Sequence, residues 1–362
     1  MRGRGPENSP RYGESVRALV MDAFGSPPQV REVDDPACPP DGVVIEVRAT
    51  GLCRSDWHGW AGHDPDIVLP HVPGHEYAGV VIEVGELVRT VHVGARVTVP
   101  FVCACGICPT CRQGDGQVCE NQYQPGFTAW GSFAERVAVP RADVNVVALP
   151  DELGFATAAG LGCRFATAYR AVTAHGRVTA SDHVAVFGCG GVGLAAIMIA
   201  AARGAHVVAV DISQAALELA EAVGAHDTVL SPDPAPHVRE LTDGGAHVSV
   251  DALGGTQTCR AGIESLRPRG RHVQVGLMVG ADANAAIPMA LVLAKELELY
   301  GSHGMAARDY PAMLAEIANG TLRPDSLVTA RVGLDALAGP TGLLAQMGTT
   351  PPTGTTIIDP AS

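Results

Sequence analysis

Aromatic residues are scarce in this chain, at 4% of 362 residues, and Lys295 is the only lysine among 25 basic residues. The arginine bias reads as genomic codon usage. Acidic residues outnumber basic ones 38 to 25, for a formal charge of −13. So acidic a chain has no general affinity for nucleic acid or an anionic membrane surface. Long apolar runs are missing too. The longest, Leu194 to Ala202, is half of the roughly 18 residues that suggest a membrane span. Residues 1–15 are polar and lack the apolar core of a secretory signal. They read as a flexible leader, and the protein is expected in the cytoplasm.

What is present is glycine (43 residues) and cysteine (10 residues) in a chain with 47% hydrophobic and 17% charged residues. That balance is globular, and the length suggests two domains, at roughly 100–200 residues each. Five cysteines, Cys103, Cys105, Cys108, Cys111 and Cys119, share one short segment. Without an export signal, such clustering favours metal ligation over disulfides.

The fold class reads as α/β. From Val16 to about Pro150 the chain is Val-rich and punctuated by Gly and Pro, with strands expected near 43–47, 79–84, 95–99 and 133–139 and no long helical period. After Pro150 the texture changes. An Ala-rich helical run to Ala174 precedes strands near 183–187, 206–210, 227–230, 248–251, 272–276 and 297–301, alternating with helices. That alternation predicts a doubly wound parallel sheet. A helix near 310–319 and a last strand near 355–358 close the chain, across an irregular Gly/Pro/Thr-rich stretch, 339–354.

The turn Gly188-Cys189-Gly190-Gly191-Val192-Gly193 sits between the buried strand and an apolar helix. Gly188 permits the tight turn, Gly190 lets backbone approach a pyrophosphate, and Gly193 lets helix and strand pack closely. The N–H groups of Gly191, Val192 and their neighbours at the helix start then face the anion. Asp211, 18 residues beyond Gly193, stands where a carboxylate accepts the adenosine ribose hydroxyls and repels a 2′-phosphate. No arginine follows it closely, which favours NAD over NADP.

Cys105, Cys108, Cys111 and Cys119 have the short spacing that wraps one tetrahedral zinc with every position filled. The role expected of such a closed shell is structural, with an iron–sulfur site as the alternative. Cys103 reads as a bystander thiol.

Cys53, Gly74-His75-Glu76, the cysteine lobe, Gly162-Cys163 and the turn 188–193 occur here in the order found in zinc-containing alcohol dehydrogenases. From about residue 16 to 360 the chain resembles that branch of the medium-chain dehydrogenase/reductase superfamily. The resemblance implies a GroES-like β-rich catalytic domain, residues 16–155 and 303–362, carrying a structural zinc lobe at 103–119. It implies a Rossmann NAD-binding domain at 156–302 and a cleft between the two.

The resemblance further implies that Cys53, His75 and Cys163 hold a catalytic zinc, with Glu76 beside it and Asp56 orienting His75. Ser55 and His58 match a proton relay, Arg54 a contact to the cofactor pyrophosphate, and Phe101 and Trp60 the pocket walls. His63 and His71 match no role. The cofactors implied are two zinc ions per chain and NAD. The activity implied is reversible oxidation of a small alcohol to an aldehyde or ketone, in a homodimer or homotetramer. A zinc-independent quinone or enoyl reductase, and a non-catalytic NAD-binding redox sensor, are the alternatives on the same scaffold.

Overall fold

The computed structural model describes residues 15–350 and 352–362. The expected leader therefore lies outside the described residues except for Ser15, which opens the first strand. In chain order the strands are β1 (Ser15–Val20), β2 (Gln29–Asp34), β3 (Val43–Leu52), β4 (Tyr77–Val84), β5 (Arg96–Thr98), β6 (Arg136–Val139), β7 (Val147–Ala148), β8 (His183–Phe187), β9 (His206–Asp211), β10 (Asp227–Leu230), β11 (Ala246–Asp251), β12 (Leu266–Gln274), β13 (Glu298–Gly301), β14 (Val328–Gly333) and β15 (Thr355–Asp359).

Strands β8 to β13 form one sheet in the order β10-β9-β8-β11-β12-β13, and every pairing in it is parallel. Its strands are apolar on both faces. Val184, Val186, Val207 and Val250 belong to one buried cluster, while their neighbours Ala185, Phe187, Val208 and Val210 belong to another. Alternate residues point to opposite faces of a strand, so continuous burial requires cover on both sides. The doubly wound sheet expected from the sequence is thus present. A helix, Gly191–Ala202, covers one face; eight of its residues, from Gly193 to Ala200, are buried.

The second sheet is mixed, in the order β14-β15-β3-β4-β5-β7, with β6 also on β3. The last strand of the chain pairs antiparallel with β3, so the C-terminal segment completes the N-terminal sheet. Ile357 faces the core shared with the parallel sheet, and Ile358 faces the opposite cluster around Leu19, Met21 and Phe133.

The structure adds local detail to these expectations. Short helices, Arg54–Trp60 and Pro109–Gln113, interrupt the β-rich region. They span too few turns to leave an apolar period. The Ala-rich run is four joined pieces. Two α-helical turns, Phe155–Ala159 and Ala166–Arg170, alternate with π-helical turns at Leu161–Phe165 and Ala171–His175. Within the irregular stretch 339–354, Leu344 and Met347 are buried with Leu19 and Phe133. No helix among the described residues is long and apolar enough to cross a membrane.

The closest approach of helix to strand in the glycine turn is at Gly193. A Cβ added there would lie 1.8 Å from the Gly188 carbonyl oxygen. Gly193→Ala is therefore expected to lower stability by about 1–3 kcal/mol, the usual cost of overpacking. A wild-type melting temperature in that variant would contradict this packing.

Candidate active site between the two sheets

Three separate segments deliver the site. β3 ends at Leu52, and Cys53 follows as the N-cap of the Arg54–Trp60 helix. His75 and Glu76 immediately precede β4. Cys163 and Arg164 sit in the π-helical turn Leu161–Phe165. Such turns widen a helix locally and often mark functional positions. The ligand atoms of Cys53, His75, Glu76 and Cys163 all lie within 4.8 Å of one another.

His75 is fully buried, and its Nδ1 donates to Asp56 Oδ1 at 2.9 Å. In the neutral ring that bond fixes the tautomer and leaves the lone pair on Nε2. His75 Nε2 is buried and has no hydrogen-bond partner. A buried nitrogen without a partner is costly unless it binds something, and a carboxylate-oriented imidazole is a common metal-ligand arrangement. Burial opposes charge on His75, but the Asp56 carboxylate together with Cys53 outweighs it and raises the pKa, so a metal at Nε2 would displace a proton. The buried Cys53 thiol is held well below its ordinary range by a hydrogen bond from Cys163 and by His75. Two sulfurs and one imidazole nitrogen match the donors zinc prefers.

Asp56 also accepts from the Cys53 N–H at 2.8 Å and the Gly74 N–H at 3.1 Å. One carboxylate thereby ties together the two segments carrying Cys53 and His75.

Glu76 faces Arg164, a residue that the sequence reading passed over. The Glu76 carboxylate accepts from the Arg164 N–H at 2.8 Å and from its Nε at 3.0 and 2.9 Å, and it pairs with Nη2. Both side chains are buried. On its other side Arg164 lies against the glycine turn, where a Cβ on Gly191 would meet Arg164 Cδ at 2.5 Å. The sequence signal was present: an arginine in a run otherwise of small and apolar residues, Gly162 to Ala166.

Ser55 Oγ lies 3.8 Å from Cys53 Sγ. His58 is half-buried, one helical turn further on. Arg54 is exposed; its Nη1 donates to the Met347 carbonyl at 3.2 Å, and its guanidinium sits 5.0 Å from the Trp57 ring centroid. Phe101 stands edge-on to His75 at 6.2 Å. Phe127, not anticipated, is closer, at 4.9 Å. Trp60 Nε1 donates to the Ser26 carbonyl at 2.7 Å, and the ring packs with the Leu19 cluster.

In the lobe, the sulfurs of Cys105, Cys108, Cys111 and Cys119 also gather within 4.8 Å. Cys105–Cys111 and Cys108–Cys119 are each 3.9 Å apart. Four sulfurs about 2.3 Å from a tetrahedral zinc would be separated by about 3.8 Å. Backbone N–H groups of Cys108, Cys111 and Asn121 point at the sulfurs at 3.3–3.4 Å. Those of Ile107 and Cys108 help push the Cys105 pKa down to about 6. Cys103 stays outside this group; it is buried, and burial pushes its pKa up to about 12.

At the glycine turn, Gly190 has nothing within 4 Å of where a Cβ would be, so the backbone there is open to a ligand at the start of the Gly191–Ala202 helix. Asp211, at the end of β9, accepts from the Cys189 and Ser213 N–H groups at 2.6 and 2.9 Å. Its carboxylate borders that opening.

Comparison with known proteins agrees with this geometry. Residues 39–151 match the alcohol dehydrogenase GroES-like domain, and residues 191–319 match the zinc-binding dehydrogenase family. An alcohol dehydrogenase of Geobacillus stearothermophilus is 37% identical over 267 residues, covering 72% of this chain and 78% of that one. A solved structure of an alcohol dehydrogenase from Thermus sp. ATN1 superposes with a TM-score of 0.85 at 31% identity, covering 95% of this chain and 99% of the other. A structure described as an NAD-dependent alcohol dehydrogenase gives 0.84 at 30% identity, covering 95% and 99%. With the fold, both sulfur-rich clusters and the glycine turn in place, the chain belongs to the zinc-containing alcohol dehydrogenases of the medium-chain dehydrogenase/reductase superfamily.

Proposed function

We propose that this enzyme oxidises a small alcohol reversibly to an aldehyde or ketone, using NAD and two zinc ions per chain. The observation that carries the reading is the buried, unpartnered His75 Nε2 facing two cysteine sulfurs. Cys53, His75 and Cys163 would hold the catalytic zinc, and Cys105, Cys108, Cys111 and Cys119 the structural one. Gly188, Gly190, Gly191, Val192, Gly193 and Asp211 would hold the dinucleotide, with Arg54 near its phosphates. When bound, the zinc supplies Lewis acidity that lowers a hydroxyl pKa, and the nicotinamide supplies the hydride chemistry.

The chain's own residues do the rest. Asp56 holds His75 in one tautomer. Arg164 engages both Glu76 oxygens, so Glu76 adds no net charge beside the metal. Two thiolates then balance a divalent ion, and a negative oxygen is tolerated. Ser55 accepts the hydroxyl proton, and His58 carries it outward. Phe101 and Phe127 exclude water beside His75.

A zinc-independent reductase is not favoured, because the full ligand set is present. The domain division at residues 155/156 and 302/303 follows from the same reading. So does a homo-oligomer, since β13 is a sheet edge and Leu293 nearby is exposed.

Three outcomes are expected. Purified protein contains about two zinc ions per chain and produces NADH absorbance with alcohols, whereas metal-free yet active protein would sink the proposal. Cys163→Ser loses activity and about one of the two zincs with little change in melting temperature; Cys108→Ser loses the other zinc and is destabilised. Equal metal loss and equal destabilisation in the two variants would refute the division of roles. Arg164→Met strands a buried carboxylate, which typically costs about 3–5 kcal/mol. Adding Glu76→Gln should recover much of that in urea unfolding, and simple additivity of the two changes would contradict the pairing.

A further inference from the structure

The Arg54–Trp60 helix places Ser55 and His58 three residues apart, on one face. The chain then turns back at Gly62, whose φ of 81° lies in the left-handed region. That turn lets the His63 N–H donate to the His58 carbonyl at 2.9 Å. It also sets His63 Nδ1 2.9 Å from His58 Nδ1. Trp57 stands edge-on to both rings, at 4.9 and 5.4 Å, and limits their rotation.

Two imidazole nitrogens at this separation are hydrogen-bonded when one carries a proton and the other a lone pair. Exposure rises along the series. Cys53 is buried, Ser55 and His58 are half-buried, and His63 is exposed. His58 is a poor place for a proton to stop. Burial, helped by the like charge of Arg54 and His63 against a smaller pull from Cys53, pushes its pKa down to about 4.

We propose that His63 is the outer acceptor in the path by which the hydroxyl proton reaches solvent. This rests on the Ser55–His58 relay proposed above and extends it by one group. As His58 takes a proton at Nε2, its Nδ1–H bond breaks and an N–H bond forms at Nδ1 of His63. His63 then gives its Nε2 proton to water or a buffer base, and solvent exchange restores the starting tautomers. One proton enters and one leaves, and no oxidant is required.

The test uses zinc- and NAD-loaded enzyme oxidising an alcohol, with a pH indicator reporting proton release. His63→Ala is expected to slow release by about three- to tenfold, less than the 10²–10⁴ of a direct acid–base group. Added imidazole should restore the rate. His63→Gln, which keeps a hydrogen bond but cannot relay, should behave like His63→Ala. In ¹⁵N spectra the two Nδ1 atoms should share one hydrogen-bonded proton that His63→Ala abolishes. A slow His58→Gln with a normal His63→Ala would overturn the role of His63 and leave the relay standing. If His58→Gln is normal as well, the relay reading itself falls, and the inference with it.

Discussion

Much of this site depends on one carboxylate. Asp56 is almost wholly buried, and it accepts from the backbone at Cys53 and Gly74 and from the ring of His75. Those bonds cap a helix, fix the loop ahead of β4 and choose the tautomer of His75. A buried anion is tolerated only when such donors surround it. The same requirement brings Cys53, three residues before Asp56, and Gly74-His75, 18 and 19 residues after it, into one register. Without it, neither the sulfur of Cys53 nor the nitrogen of His75 has a defined direction.

Charge is handled consistently around that point. Glu76, wholly buried beside the ligands, would add repulsion to two thiolates; Arg164 removes that term by pairing with it. Burial, helped by the Cys53 charge, raises the Glu76 pKa against the opposing pull of Arg164. Because Arg164 also lies against Gly191, the metal pocket and the glycine turn are joined by one side chain. The fold makes this contact by running the π-helical turn Leu161–Phe165 between the two sheets.

Much of this was legible in the residues. The glycine turn with its flanking strand and helix, and the spacing of Cys105 to Cys119, are local signals with local physical causes. The scattered ligands Cys53, His75 and Cys163 were legible only through resemblance, since each alone is an ordinary residue. What escaped was long-range or aperiodic. The Arg164–Glu76 pair spans 88 positions, and no sequence period announces a π-helical turn. The packing of Leu344 and Met347 was hidden by the surrounding Gly, Pro and Thr. The meeting of His58 and His63 depends on the backbone angle of a single glycine.

The position of bound metal is the central claim, and anomalous X-ray scattering at the zinc edge from crystals of the purified protein tests it directly. Two peaks are predicted, one enclosed by Cys105, Cys108, Cys111 and Cys119, the other between Cys53, His75 and Cys163. A single peak in the lobe, with His75 Nε2 bonded to something other than metal, would contradict it.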